Sequence, residues 1–225
     1  MSNFKEQHKG VSIVLVGNFS PLMFHPTWFS KNEVISEDDA DAVVKNTNSN
    51  MVVSPGLTIF QTSNLEFSIT PDRFMILAKK DPVIFAKDSI LKTFERMSSV
   101  SIKALGINNF TIIELENASQ FQDFADRLAP KDLWTNLLED EVTGDDRKSG
   151  LIKMTMMKKT EFGAINFTIE STNKVKYGIH VSCNHHFDLA PDNGFADEAM
   201  AIIEKNFVNS SEKTQAVIDE IFKDL

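Results

Sequence analysis

The chain has 225 residues, of which 42% are hydrophobic and 24% charged, and its formal net charge is −9. This balance is typical of a water-soluble globular protein with a sizeable core, and the single cysteine, Cys183, excludes an intramolecular disulfide and a multi-cysteine zinc site. No apolar run approaches the roughly 18 residues that cross a bilayer, and the first residues lack the apolar stretch of a signal peptide, so we expect a cytoplasmic protein without membrane partners.

The net charge is unevenly distributed along the chain. Residues 1–112 contain 11 Lys and Arg against 11 Asp and Glu, whereas residues 113–225 contain 12 against 21. The arginines are scattered, so no phosphate-binding cluster is predicted and we expect no nucleic-acid partner. We interpret the acidic half as a solubilising surface, with a surface for a basic protein and mimicry of DNA as alternatives.

The predicted elements of the first half begin with a central strand at residues 11–16. An aromatic-rich turn or short helix follows at residues 18–29, a short helix opens at residues 36–41, and residues 46–50 form a loop. Residues 65–69 and 73–78 alternate in polarity, which predicts a hairpin with one buried face. Asp81 and Pro82 then predict a helix start, because an acidic N-cap is followed by proline, and apolar residues at helical spacing continue to about residue 98.

The predicted elements of the second half follow a similar order. We predict strands at residues 100–105 and 110–115 joined through residues 106–109, and a helix whose capping box begins at Ser119. A second short helix is predicted at residues 131–138 and a loop at residues 143–150. The remaining elements are strands at 151–158, 164–171 and 177–189, followed by two helices marked by apolar residues at 195–207 and 217–222.

This order of elements predicts an α+β protein with a mostly antiparallel sheet and helices packed on one face. One domain over residues 1–225 is the simplest organisation. Two similar halves, about 10–116 and 117–225, are the alternative, and a duplication would require both halves to have the same strand order.

The best candidate for a binding site is the strand predicted at residues 177–189. Alternate side chains of a strand share a face, so one face is core-like and contains Cys183 and His185, while the other is polar. A pocket between sheet and helices would use this polar face, completed by residues from elsewhere in the chain. The candidate ligand-binding residues are His180, Asn184, His186, Asp188, His25 and Arg73.

Several chemistries are disfavoured at this strand. His180 and His186 are too far apart on an extended strand to ligate one metal, so a polar sheet face is favoured over a metal site. Cys183 and His185 lie on the face predicted to be buried, which disfavours a catalytic thiolate. Since nucleophile and phosphate-binding motifs are also missing, we predict no catalytic residue, metal or cofactor.

The aromatic segment at residues 24–29 has two interpretations. Phe24, Trp28 and Phe29 could form an exposed anchor for a protein partner. The alternative is a plug that closes one end of the core, which the burial preference of phenylalanine favours.

Several motifs along the chain resemble a recurring pattern. They are Ser12-Ile13-Val14-x-x-Gly17-x-Phe19-x-Pro21, Phe24-x-Pro26-x-Trp28-Phe29, Asp72-Arg73-Phe74, Leu105-Gly106-Ile107-Asn108 and Leu128-Ala129-Pro130-x-x-x-Trp134. The pattern is similar to that of a family of uncharacterised, sporadically distributed bacterial cytosolic proteins of similar length. The resemblance implies no activity and assigns no catalytic residues.

We therefore expect a non-enzymatic protein-binding or complex-forming protein, present as a homo-oligomer or as a subunit of a complex. The alternative is a small-ligand-binding protein or enzyme with a pocket lined by the polar face of residues 177–189. An open, solvated face would favour interaction, and a covered face that forms a cavity with His25 or Arg73 would favour the pocket.

Overall fold

The computed structural model describes residues 4–46, 50–134, 150–189 and 194–223, and these form an α+β fold built on one open antiparallel sheet. The predicted fold class is confirmed. The sheet has nine strands in the order β2-β3-β4-β5-β1-β6-β9-β8-β7. The two longest strands, β1 and β6, lie side by side at its centre.

The bounds of the elements are as follows. The strands are β1 Phe4–Gly17, β2 Val52–Val53, β3 Thr58–Gln61, β4 Leu65–Ile69, β5 Arg73–Ala78, β6 Ile102–Leu115, β7 Lys153–Thr160, β8 Gly163–Thr172 and β9 Gly178–Asp188. The α-helices are α1 Pro26–Lys31, α2 Glu37–Lys45, α3 Ile84–Glu95, α4 Ala118–Leu128 and α5 Ala196–Phe222, and short 3-10 helices span Pro21–Met23 and Lys131–Trp134.

The described helices pack on one face of the sheet, as predicted. On β1 the buried residues Val11, Ile13 and Leu15 alternate with more exposed neighbours, and their face carries the core. Helix α3 contacts β1 and β5, whereas α4 and α5 contact the second half of the sheet. Successive side chains of a strand point to opposite faces, so the residues between the buried ones lie on the other face of the sheet. The described helices do not cover that face.

Strand β6 corrects the prediction of two strands joined through residues 106–109, because Ile102–Leu115 is one continuous strand. Residues 106–109 stay extended because β1 pairs with them on one side and β9 on the other. Backbone hydrogen bonds from both neighbours outweigh the turn preference of Gly106 and Asn108. Asn109 is 5% exposed and lies inside the protein, where its amide has a partner on α5.

The starts of two helices also differ from prediction. Helix α3 begins at Ile84, and its N-cap position is occupied by Val83 instead of Asp81. Helix α4 begins at Ala118, because the Asn117 side chain accepts the backbone N–H of Gln120 and is the N-cap in place of the predicted Ser119.

The two predicted C-terminal helices are one helix of 27 residues, α5. Its central segment, between the two predicted helices, contains polar residues. Ser210 and Thr214 in this segment are buried against the sheet, and their hydroxyls donate to backbone carbonyls within the helix. These bonds satisfy the hydroxyls inside the protein, so burial of the segment is compatible with a continuous helix.

The order of strands is the same in the two halves of the chain except for the short strand β2. Reading outward from the centre, the first half has β1, β5, β4, β3 and β2, and the second half has β6, β9, β8 and β7. Each half therefore begins with its innermost strand and then builds a meander from the outside inward, of four strands in the first half and three in the second. A duplication would produce this arrangement, and the division into two halves stays a prediction.

The hairpin predicted at residues 65–78 is confirmed as β4 and β5, with Leu65 opposite Ala78. The predicted loop at 143–149 and residues 135–138 of the predicted short helix lie outside the described residues, as does part of the loop at 46–50. None of the described helices is long and apolar enough to cross a membrane.

Candidate functional site

Strand β9 separates its side chains between the two faces of the sheet as its sequence predicts. Ile179, Val181, Cys183 and His185 are buried on the helix-covered face. The side chains of the other face are half-buried or exposed, and they are His180, Ser182, Asn184, His186 and Asp188. We refer to the face of the sheet that carries them as the open face.

Three asparagines lie side by side on the open face, and we call them the asparagine row. Asn108 on β6 is paired with Asn184 on β9, which is paired with Asn166 on β8. Neighbouring strands lie about 4.8 Å apart, so the three carboxamides form a continuous polar strip. Asn108 Nδ2 donates to the backbone oxygen of Ser12 on β1 at 3.3 Å.

The asparagine row contains an acceptor without a partner. Asn184 Oδ1 is shielded from solvent and accepts no hydrogen bond from the described residues. Gly106 lies beside it, and a Cβ atom at Gly106 would stand 3.5 Å from Asn184 Oδ1, with only side-chain amide atoms of Asn108 and Asn184 as its nearest neighbours. A side chain at this position would therefore contact the asparagine row directly.

Two histidine–carboxylate pairs lie on the open face. His180 Nδ1 is 3.1 Å from Glu170 Oε1, and Lys153 Nζ is 3.1 Å from the other oxygen of Glu170. The hydrogen bond from Lys153, reinforced by His180, holds the pKa of Glu170 below its ordinary value. His186 Nε2 is 3.0 Å from Asp188 Oδ1. The one side-chain nucleophile on this face of β9 is Ser182.

The cysteine lies on the covered side of the same strand. Cys183 Sγ is 3.4 Å from His185 Nε2, and both residues are buried beneath α5. Burial raises the pKa of the Cys183 thiol, and a hydrogen bond with Thr214 only partly offsets this. The thiol is therefore protonated at neutral pH and inaccessible, which makes a catalytic thiolate unsupported here.

Two of the candidate ligand-binding residues are separated from the others. Arg73 lies on the open face, in one row with Val16, Ala104 and Asp188 across β5, β1, β6 and β9. Three strand spacings, about 14 Å, separate the backbones of Arg73 and Asp188. His25 is on the other side of the sheet, where its ring caps α1 by accepting the backbone N–H of Thr27. The predicted completion of a pocket by His25 therefore does not form.

The aromatic segment fills the core under the first half of the sheet. Phe24 and Phe29 are fully buried, and Trp28 is half-buried against them. The ring centroids of Phe29 and Phe67 are 4.7 Å apart, and those of Phe24 and Phe74 are 5.0 Å apart. The exposed-anchor interpretation is thus wrong for Phe24 and Phe29, because a partner has no access to either ring.

The sequence analysis missed an apolar strip on the open face, formed by Val14, Val16, Met75 and Leu77. These residues alternate with buried ones on β1 and β5, and Val16 is 41% exposed. Both strands are apolar on both faces, so their sequence pattern hides which face is open. Asn108 was missed because residues 106–109 were predicted to connect two strands and not to belong to one.

No group of three or more His, Cys, Asp or Glu side chains in the described ranges could hold a metal ion. No family model and no curated protein matches the sequence. The function is therefore inferred from the open face and its surroundings.

Proposed function

We propose that this chain is a non-enzymatic protein-binding protein whose open face is the partner-binding surface. The observation that carries the proposal is the composition of that face. An apolar strip on β5 and β1 lies beside a polar strip of amides and hydroxyls on β6, β9 and β8, and the described helices all pack on the opposite side. An exposed surface with this division is typical of a protein interface, where an apolar centre is bordered by polar groups.

The charge of the open face defines the chemistry of the partner. The basic residues Lys79 and Lys153 form ion pairs with Glu66 and Glu170 of neighbouring strands, so these charges are neutralised in place. The protein as a whole has a net charge of −9, and the acidic first turns of α2 and α5 lie on the helix side. The apolar strip and the asparagine row therefore suit a protein surface that presents an apolar strip bordered by polar groups of its own.

Nucleic acid is a less suitable partner for this face. Affinity for phosphates is built from clustered, available Lys and Arg, and Arg73 is the one arginine among the strand residues of the open face. Its guanidinium lies 3.6 Å from the sulfur of Met75 at the border of the apolar strip.

The test is site-specific photo-crosslinking in cells that naturally produce the protein. A photoreactive amino acid is placed at Val16 or at Asn166 on the open face, and at Val208 on α5 as the control, since Val208 is 57% exposed on the helix side. We expect the same adduct from Val16 and Asn166, and none from Val208. Introducing Leu77→Glu into the Asn166 probe should abolish the adduct, whereas Val217→Glu should not.

Three outcomes would contradict the proposal. An adduct that forms equally from Val208 would place the partner elsewhere. An adduct with the mass of two chains would identify a second copy as the occupant. The absence of any adduct from Val16 and Asn166 would show that the open face has no protein partner.

A small-ligand function is the second candidate, favoured by one observation. His186 and Asp188 border an open concavity of about 810 Å³ that is also lined by Phe162 and Ala164. Its size is within the range of small-molecule sites, although it is far less enclosed than most. Native mass spectrometry of the purified protein tests this candidate: a stoichiometric bound mass that is lost in His186→Ala and Asp188→Ala would support it, and a ligand-free protein would not.

A further inference from the structure

The hairpin of β7 and β8 differs in charge from the rest of the second half of the chain. Residues 151–180 contain five lysines and two acidic residues, in a half whose totals are 12 basic and 21 acidic residues. Three of the lysines, Lys153, Lys158 and Lys159, belong to β7 itself. An acidic protein thus has a basic strand at one end of its sheet.

Strand β7 is the last strand of the sheet and pairs with β8 alone. Within the described residues, the backbone N–H and C=O groups of its outer edge have no strand beside them. Nearly every residue of β7 is exposed, including Lys158 and Lys159. Such an edge is a template for one more strand, because the backbone groups of an extended segment can complete the ladder.

The edge also exposes large apolar side chains. Met156 is 63% exposed, Met157 57% and Phe162, in the adjoining turn, 62%. Met156 and Met157 lie on opposite faces of the strand, so an added segment would meet an apolar side chain on each face. Lys158 and Lys159 form no ion pair with the described residues, so their ammonium groups are available to carboxylates.

A second copy of the chain is a poor occupant of this edge. If β7 paired with β7 of a second copy, the three lysines of each strand would lie in one interface. Like charges opposite each other destabilise a pair of strands. Lysine on an edge strand is a common device that prevents identical chains from pairing. A segment of opposite charge reverses this effect, because each lysine then faces a carboxylate.

We propose that the outer edge of β7 binds an extended segment of a protein partner in which two adjacent acidic residues lie next to two adjacent apolar ones, because Met156, Met157, Lys158 and Lys159 are consecutive on β7. The segment adds to the sheet as a tenth strand, its backbone pairs with β7, and its carboxylates lie opposite Lys158 and Lys159. Its apolar side chains cover Met156 and Met157. This surface is separate from the apolar strip on β5 and β1, so the inference does not depend on the proposed function of the open face.

The test uses a fluorescein-labelled synthetic peptide of eight residues, in which pairs of valine residues alternate with pairs of glutamate residues. One control peptide has lysine in place of glutamate, and a second has the backbone amides of all its central residues methylated so that neither edge donates hydrogen bonds. Binding to the full-length protein is measured by fluorescence anisotropy at low and high salt, and amide hydrogen exchange locates the bound peptide.

We expect the acidic peptide to bind, salt to weaken it, and the methylated peptide to bind about tenfold less tightly or worse, since strand addition needs the backbone donors. Lys158→Glu with Lys159→Glu should weaken binding by a similar factor. Lys31→Glu with Lys205→Glu, which changes charge equally on the helix side, should have little effect. Amides of β7 should become protected on binding.

The inference is overturned if the acidic peptide does not bind, if the lysine peptide or the methylated peptide binds equally well, or if the charge reversal at Lys158 and Lys159 has no more effect than the helix-side control. Protection at a surface other than β7 would also overturn it. Because crosslinking from Val16 reports on the open face, failure of this inference leaves that result unaffected.

Discussion

Asn109 Nδ2 donates a hydrogen bond of 3.1 Å to Ser210 Oγ, which joins the central strand β6 to the middle of helix α5 inside the protein. Thr111, Cys183, His185 and Thr214 are buried near this level of the sheet and helix. The apolar core divides into two clusters, one built mainly on the first half of the chain and one on the second. The polar contacts beneath α5 thus lie between two apolar regions and align the helix with the sheet.

Removing one partner of this bond should destabilise the protein. Ser210→Ala leaves Asn109 Nδ2 without an acceptor in the interior, and we expect a loss of about 1 to 3 kcal/mol in the free energy of unfolding. The double variant Asn109→Leu with Ser210→Ala removes both polar groups and should recover part of the loss. Urea unfolding measures both.

Ser182→Ala, on the half-buried open side of β9, is the control for this prediction and should change stability by less than about 0.5 kcal/mol. If Ser210→Ala is as stable as the wild type, the bond does not contribute to folding as inferred.

His185 should make folding sensitive to mild acid. Burial, with a contribution from the charge of Lys213, lowers the pKa of His185 below the reference value of 6.5, and a hydrogen bond with the Ser210 backbone only partly opposes this. The unfolded chain therefore binds a proton before the folded protein does. Stability should be greatest above a pH of about 6.5 and should fall as the pH decreases below it.

The measurement is the free energy of unfolding in urea at a series of pH values from about 5 to 8. The variant His185→Leu removes the titrating group, so we expect a smaller decrease in stability on acidification than in the wild type. Equal slopes in the two proteins would show that the ring does not contribute to the acid sensitivity.

The aromatic cluster around Phe29 should be structural. Phe29 is fully buried and its ring contacts those of Phe24, Phe60 and Phe67, so Phe29→Ala leaves a cavity. We expect a loss of about 3 to 5 kcal/mol in thermal or urea unfolding. Leu22→Ala is the control, because Leu22 is 53% exposed, and it should have little effect. A Phe29→Ala protein of unchanged stability would restore the interpretation of this ring as a binding anchor.

Gly10 should be intolerant of a side chain. A Cβ atom there would stand 2.3 Å from the ring of Phe110 and 2.6 Å from the backbone oxygen of Ala78, so the sheet would have to move. We expect Gly10→Ala to cost about 1 to 3 kcal/mol. At Gly56 a Cβ atom meets nothing within 4 Å, and Gly56→Ala should be neutral or slightly stabilising. Comparison of the two melting temperatures checks the prediction, and similar temperatures would contradict it.

Predictions from the sequence succeeded where the local pattern and the final environment agree. The alternation at residues 65–69 and 73–78 identified a hairpin because one face of it packs on the core and the other does not. The same alternation separated His180 and Asn184 from Cys183 and His185 on β9. In each case a side chain's polarity by itself indicates which face it prefers.

Predictions failed where a distant part of the chain changes the preference of a local segment. Gly106 and Asn108 favour a turn in isolation, and only the strands on both sides of β6 keep them extended. The sequence analysis divided α5 into two helices, and only the contact between Ser210 and Asn109 shows that the polar middle of this helix faces a polar patch on the sheet. The two residues are 101 positions apart in the sequence, so a local sequence pattern cannot reveal their contact.

The sequence by itself determined the class of fold, the two faces of β9 and the uneven distribution of charge, because each depends on the composition or spacing of neighbouring residues. The tertiary structure decided which face of the sheet stays open, that Asn108, Asn184 and Asn166 lie in one row, and that the basic strand β7 forms the edge. These properties depend on strand order and register, which arise from pairing between segments far apart in the chain.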